Sequence, residues 1–129
     1  IEGAQRVLEA VIAKAEAIGV PMCIAITDPS GLPILTARMD NAPFGAAPIA
    51  LNKARTVVGF NGFATGDWWP SIKDDPAMVH GITQTPGLVI FGGGVGLFHG
   101  GELIGAIGVG GGETSEDETV AAAGAAALA

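Results

Sequence analysis

Glycine limits what this chain can become. It occupies 21 of 129 positions, against five phenylalanines, two tryptophans and no tyrosine. With so little aromatic bulk, a core fills only where backbones approach one another closely, and a missing Cβ permits that. Two clusters, Gly92-Gly93-Gly94 and Gly110-Gly111-Gly112, each lie beside a short apolar run. That placement favours bulges and close contacts in a sheet. Neither cluster completes G-x-G-x-x-G, because the sixth residue from Gly94 is His99 and the sixth from Gly108 is Glu113. No G-x-x-x-x-G-K-[ST] occurs either, so neither of the common phosphate-cradling loops is present.

Periodicity then sets the order of elements. Ile1, Ala4, Val7, Leu8, Val11, Ile12 and Ala15 recur at helical steps, and Gly19 is placed to stop that helix. Met22 to Thr27 is a short apolar strand. Asp28-Pro29-Ser30-Gly31 is a strong turn, and Leu32 to Met39 returns as the second arm of a hairpin, with Pro33 at an edge or strand start. A small-residue loop from Pro43 to Pro48 precedes a helix from Ile49 to Phe60, whose inner face is Leu51, Ala54, Val57 and Val58. Thr65 is placed to cap a short helix carrying Trp68 and Trp69, and a further turn runs from Pro76 to His80. Leu88 to Phe91, Val95 to Phe98 and Leu103 to Val109 read as three more strands. The last helix follows Gly112, with Thr114/Asp117 and Ser115/Glu118 both at capping-box spacing. The expected fold is one α+β domain over 1–129, a mostly antiparallel five-stranded sheet with helices packed on it.

Charge removes several function classes. Six Lys and Arg face 13 Asp and Glu, a formal charge of −7 with no basic cluster, so neither nucleic acid nor an anionic membrane is an expected partner. No apolar run reaches the roughly 20 residues of a membrane span. Cys23 is the single cysteine, which excludes an internal disulfide framework and a multi-thiolate metal site. It stands mid-strand among apolar neighbours, the setting of a buried, inert thiol. His80 and His99 are the only histidines and are too far apart for a helical pair, so no metal centre is expected. A cytoplasmic location is the default, with secretion left open because the chain starts at Ile1 without Met.

A few residues stand out. Arg38 and Lys53 each sit in a largely apolar stretch, where a solvated face would carry more charge. Each can pair with a carboxylate of this chain, such as Asp40 or Asp117, or hold a carboxylate of a bound molecule. Gly111 and Gly112 precede a helix start, whose free N–H groups favour anions. Glu113, Glu116, Asp117 and Glu118 already crowd that end. Among them Asp117 and Glu116, with His80, are the candidate acid–base groups.

Several runs carry a family resemblance. They are Arg38-Met39-Asp40-Asn41-Ala42, Lys53-Ala54-Arg55-Thr56, Pro86-Gly87 with Gly92-Gly93-Gly94-Val95, Ile104 to Gly112, Glu116-Asp117, and Val120 to Gly124. In that order, over nearly the whole chain, they resemble the signature of GlcG/HbpS-like proteins. Asn41 and Gly110 depart from it, standing where Gly and Ser are usual. The resemblance implies a profilin-like or GAF-like α/β/α arrangement and a homo-oligomer. Val120 to Ala129, apolar and small on every side, suits a subunit contact. The function implied is binding of a small molecule or of haem, the one cofactor suggested. The pocket would comprise Arg38, Lys53, Trp68, Trp69, Gly111 and Gly112 within a surround reaching from Gly110 to Asp117. The alternative is an enzyme of a small-molecule catabolic pathway, moving a proton on a carboxylated intermediate through Asp117, Glu116 or His80.

Overall fold

The computed structural model describes residues 1–128. Helix α1 (Glu2–Ile18) buries Ala4, Val7, Val11 and Ala15, the stripe its periodicity marks. Gly19 ends it in the left-handed conformation at φ 73°. Strands β1 (Cys23–Thr27) and β2 (Pro33–Arg38) form the antiparallel hairpin. Its turn is held by Asp28, whose Oδ1 accepts the N–H groups of Ser30 and Leu32 at 2.8 and 3.0 Å. Helix α2 (Ala46–Gly59) starts three residues before the expected Ile49. Pro48 falls in its first turn, where a missing N–H costs nothing.

A short 3₁₀ turn at Thr65–Asp67 leads into α3 (Trp68–Ile72) and α4 (Pro76–Gly81). Thr65 does not cap α3. Its hydroxyl instead accepts the Gly94 N–H at 2.9 Å, tying this segment to the sheet. Strands β3 (Gly94–His99) and β4 (Glu102–Gly110) make the second hairpin, and α5 (Thr114–Ala126) closes the fold.

The sheet has four strands, ordered β2-β1-β4-β3 with every neighbour antiparallel, not five. Leu88–Phe91 is the segment that fails to pair. The Val89 N–H is taken by the Thr56 hydroxyl of α2 at 3.0 Å, so this run is bonded to a helix rather than to a sheet edge.

Alternation along the strands produces three layers, as the α/β/α expectation requires. Ile24, Ile26, Ile107 and Val109 meet Val7 and Val11 of α1 and Val120 and Ala121 of α5 on one face. Cys23 and Ala25 meet Ala46 and Ala50 of α2 on the other. On that second face β4 offers Gly108, and helix backbone lies directly on sheet backbone. A Cβ there would strike the Ala50 carbonyl oxygen and lie 2.8 Å from the Ala54 nitrogen. Among the described residues no helix is long and apolar enough to cross a membrane.

Gly108→Ala is therefore expected to lower unfolding free energy by about 3 kcal/mol, because neither neighbour is a side chain able to turn away. Gly45→Ala is the control: φ is −63° and nothing lies within 4 Å of the added carbon. It should change stability by less than about 1 kcal/mol. Urea denaturation of both variants checks the contrast, and similar midpoints would refute the backbone-contact account.

Candidate functional site

Lys53 is wholly buried, although it lies in the middle of α2. Its ammonium donates to Asp117 Oδ2 at 3.0 Å and to the Val109 carbonyl at 2.7 Å, and it lies 4.9 Å from the centre of the Phe91 ring. Asp117, 3 % exposed at the start of α5, accepts on its other oxygen from the Gly112 N–H at 3.0 Å. Burial pushes the Lys53 ammonium down and the Asp117 carboxyl up from their ordinary values, and the bond between them pulls each back. Among the described residues this is the one salt bridge. Of the two partners the sequence offered Lys53, Asp117 is the one it takes.

Gly93 makes room for the pair. At φ +124° it adopts a conformation that L side chains resist, and a Cβ on it would lie 2.6 Å from the Lys53 nitrogen. The helix start at Gly112 is also occupied. Gly112 serves Asp117, and Gly111, at φ +125°, packs against the Pro21 carbonyl oxygen. The capping box falls one residue before the Thr114/Asp117 spacing and two before Ser115/Glu118. Glu113 is the N-cap and Glu116 its partner, with Glu116 Oε1 accepting the Glu113 N–H at 2.8 Å. The four carboxylates Glu113, Glu116, Asp117 and Glu118 crowd this end, so a free anion there would meet like charge.

The other expected site residues are dispersed. Trp68 is buried edge-on against Phe60 and Phe63, with ring centres 4.8 and 5.6 Å away. Trp69 is 55 % exposed. His80, in the last turn of α4, and His99, at the end of β3, are both exposed. Cys23 is buried as expected; burial raises its thiol, which donates to the Pro43 carbonyl at 3.5 Å. Among the described residues no three His, Cys, Asp or Glu side chains group as metal ligands.

Two cavities flank this framework and share no lining residue. The first, about 390 Å³, lies between the β1–β2 hairpin and α2. Its walls are mostly apolar, including Ile24, Ala47, Pro48 and Leu51, and Arg38 reaches it from β2 without a carboxylate partner among the described residues. The second, about 400 Å³, lies between α5, β3 and the Ala64–Asp67 segment. Gly93, one of its walls, also lies against the Lys53 ammonium. Asp67, Glu118 and Thr119 supply its polar side chains. Neither histidine and neither tryptophan lines either cavity.

Sequence reasoning overlooked this second cavity because its residues come from three separated segments. One signal was present: Glu118 and Ala122 are four residues apart, hence on one face of α5.

Comparison with known proteins adds an independent line. The model for the family described as "Haem degrading protein HbpS-like" matches residues 1–126. An uncharacterised 15.0 kDa protein of Citrobacter freundii, from the dhaT-dhaS intergenic region, is 34 % identical over 94 % of this chain and 85 % of its own length. The corrinoid adenosyltransferase PduO of the same organism is 32 % identical over 92 % of this chain, but the chain spans only 36 % of that protein. The crystal structure of the PduOC:heme complex superposes with a TM-score of 0.86 at 27 % identity, covering 99 % of this chain and 93 % of the other.

The ion pair yields a stability prediction. Lys53→Met leaves the Asp117 carboxylate buried alone and should cost about 3–5 kcal/mol. Lys53→Met combined with Asp117→Leu should recover most of that loss, less about 1–3 kcal/mol for the orphaned Gly112 N–H. Urea midpoints of the two variants measure the coupling, and a single-variant loss under about 1 kcal/mol would show that the pair is not structural.

Proposed function

Because the chain belongs to the HbpS-like haem-degrading family, we propose that it binds a small molecule, with haem the leading ligand, and that it works as a homo-oligomer. Arg38 carries this reading. An exposed guanidinium, without an ion-pair partner among the described residues, stands beside an apolar cavity of about 390 Å³, within the size range of small-ligand sites. A ligand with an apolar body would lie against Pro48 and Leu51 and place its carboxylate on Arg38. Haem propionates have that chemistry, and a haem complex is known for the similar PduOC domain.

The fit concerns the periphery of a haem rather than its iron. Arg38 and the apolar wall would hold a propionate edge, whereas His80 and His99 lie outside the cavity. No chemistry at the metal is therefore assigned. Lys53 and Asp117 would contribute by holding α2 against β4 rather than by touching the ligand. Exposed Leu32 and Phe44, at 61 % and 80 %, give the oligomer reading apolar surface to cover. Proton transfer through Asp117, Glu116 or His80 has no comparable support. Asp117 is bonded on both oxygens, Glu116 closes a cap, and His80 is exposed on another element.

Haem titration followed by the Soret band, beside native mass spectrometry, tests the proposal. A saturable Soret change is expected, weakened about tenfold or more in Arg38→Ala with the fold retained. The native spectrum should show a multiple of the chain mass. No saturable change, no co-purified small mass and a monomer would together sink it.

A further inference from the structure

The second cavity has the opposite chemistry. Each of its polar side chains presents acceptors. Neither the Asp67 nor the Glu118 carboxylate accepts a hydrogen bond or joins an ion pair among the described residues. Thr119 donates its hydroxyl proton to the Ser115 carbonyl at 2.9 Å, which leaves its lone pairs free.

Glu118 is placed by what its neighbours lack. A Cβ on Gly92 would collide with its carboxylate, and one on Gly66 would lie 2.6 Å from its Oε1. The side chain therefore lies over two stretches of bare backbone. It takes no N–H from either, and it lines the cavity with its acceptors unused. The nearby ammonium of Lys53 feels the Glu118 charge but makes no bond to it, because its hydrogen bonds go to Asp117 and Val109. The apolar walls come from Ala64, Val95 and Ala122, enough to hold a short hydrocarbon body.

We propose that this cavity is a binding site for a small organic cation, an alkylammonium or amidinium, with the Glu118 and Asp67 carboxylates as its counter-charges. A carboxylated ligand is disfavoured here by like charge, whereas N–H donors meet two open carboxylates. The chain's net charge of −7 adds long-range attraction for a cation. The site shares no residue with the Arg38 cavity, so it stands or falls apart from the haem reading.

The probe is butylammonium, with butyrate, butan-1-ol and magnesium chloride compared at equal ionic strength. Amide ¹H–¹⁵N spectra report through Gly66, Gly93 and Gly94, glycines of the cavity wall. Butylammonium should shift these signals saturably. The apparent Kd should rise about tenfold in Glu118→Gln and also rise in Asp67→Asn, and it should be unchanged in Arg38→Ala. Both carboxylate variants replace solvent-exposed groups and should fold, which the same spectra verify. Equal shifts from butyrate, butan-1-ol or magnesium, no saturation by butylammonium, or unaltered affinity in Glu118→Gln would each overturn the proposal. Loss of haem binding in Arg38→Ala with butylammonium binding intact would separate the two sites.

Discussion

The ion pair between Lys53 and Asp117 is the joint on which the two faces of the sheet meet. Lys53 comes from α2 on one face and Asp117 from α5 on the other, and Val109 near the end of β4 and Gly112 just beyond it complete the hydrogen bonding. A buried charge pair is a costly choice. Its Coulomb attraction is largely offset by desolvation, so its worth lies less in net stability than in specifying one arrangement. Here it fixes how far α2 slides along the sheet and where α5 begins. Both charges are satisfied only in this register, because backbone groups take up the remaining acceptor of Asp117 and one donor of Lys53.

Glycine makes that arrangement sterically possible. Gly93 leaves space for the ammonium, and Gly108 lets the α2 backbone settle on β4. A third glycine, Gly124 of α5, sits where a Cβ would approach Val11 at 2.6 Å and Ile107 at 3.0 Å, so α5 lies close to both α1 and the sheet. The chain thus reaches dense packing through backbone proximity where other domains of this size use aromatic side chains.

The start of α5 shows how one helix end assigns distinct roles to neighbouring carboxylates. Glu113 and Glu116 form the capping box, Asp117 turns inward to Lys53, and Glu118 lies beside Gly92 at the cavity. Successive helical residues point about 100° apart, so three adjacent acids cannot share one environment. Two of the domain's pockets are thus of unlike polarity, one bearing a guanidinium and one bearing two carboxylates that have no ion-pair partner among the described residues.

The helices α1, α2 and α5 and both hairpins were legible in the sequence, because periodicity, turn residues and capping spacing act over a few residues. The family signature was legible too, and it implied the three-layer arrangement. Leu88–Phe91 misled because a short apolar run reads as a strand whether or not a sheet edge awaits it; the Thr56 hydroxyl, 33 positions away, decided the matter. Arg38 and Lys53 looked alike as cations in apolar stretches. Only the tertiary structure separated them, burying one against Asp117, 64 positions distant, and leaving the other exposed beside a cavity. The same limit hid the Asp67–Glu118 cavity. Local sequence determines which way a chain coils, but the partner of a charge depends on which distant segments the packed layers bring within hydrogen-bonding reach.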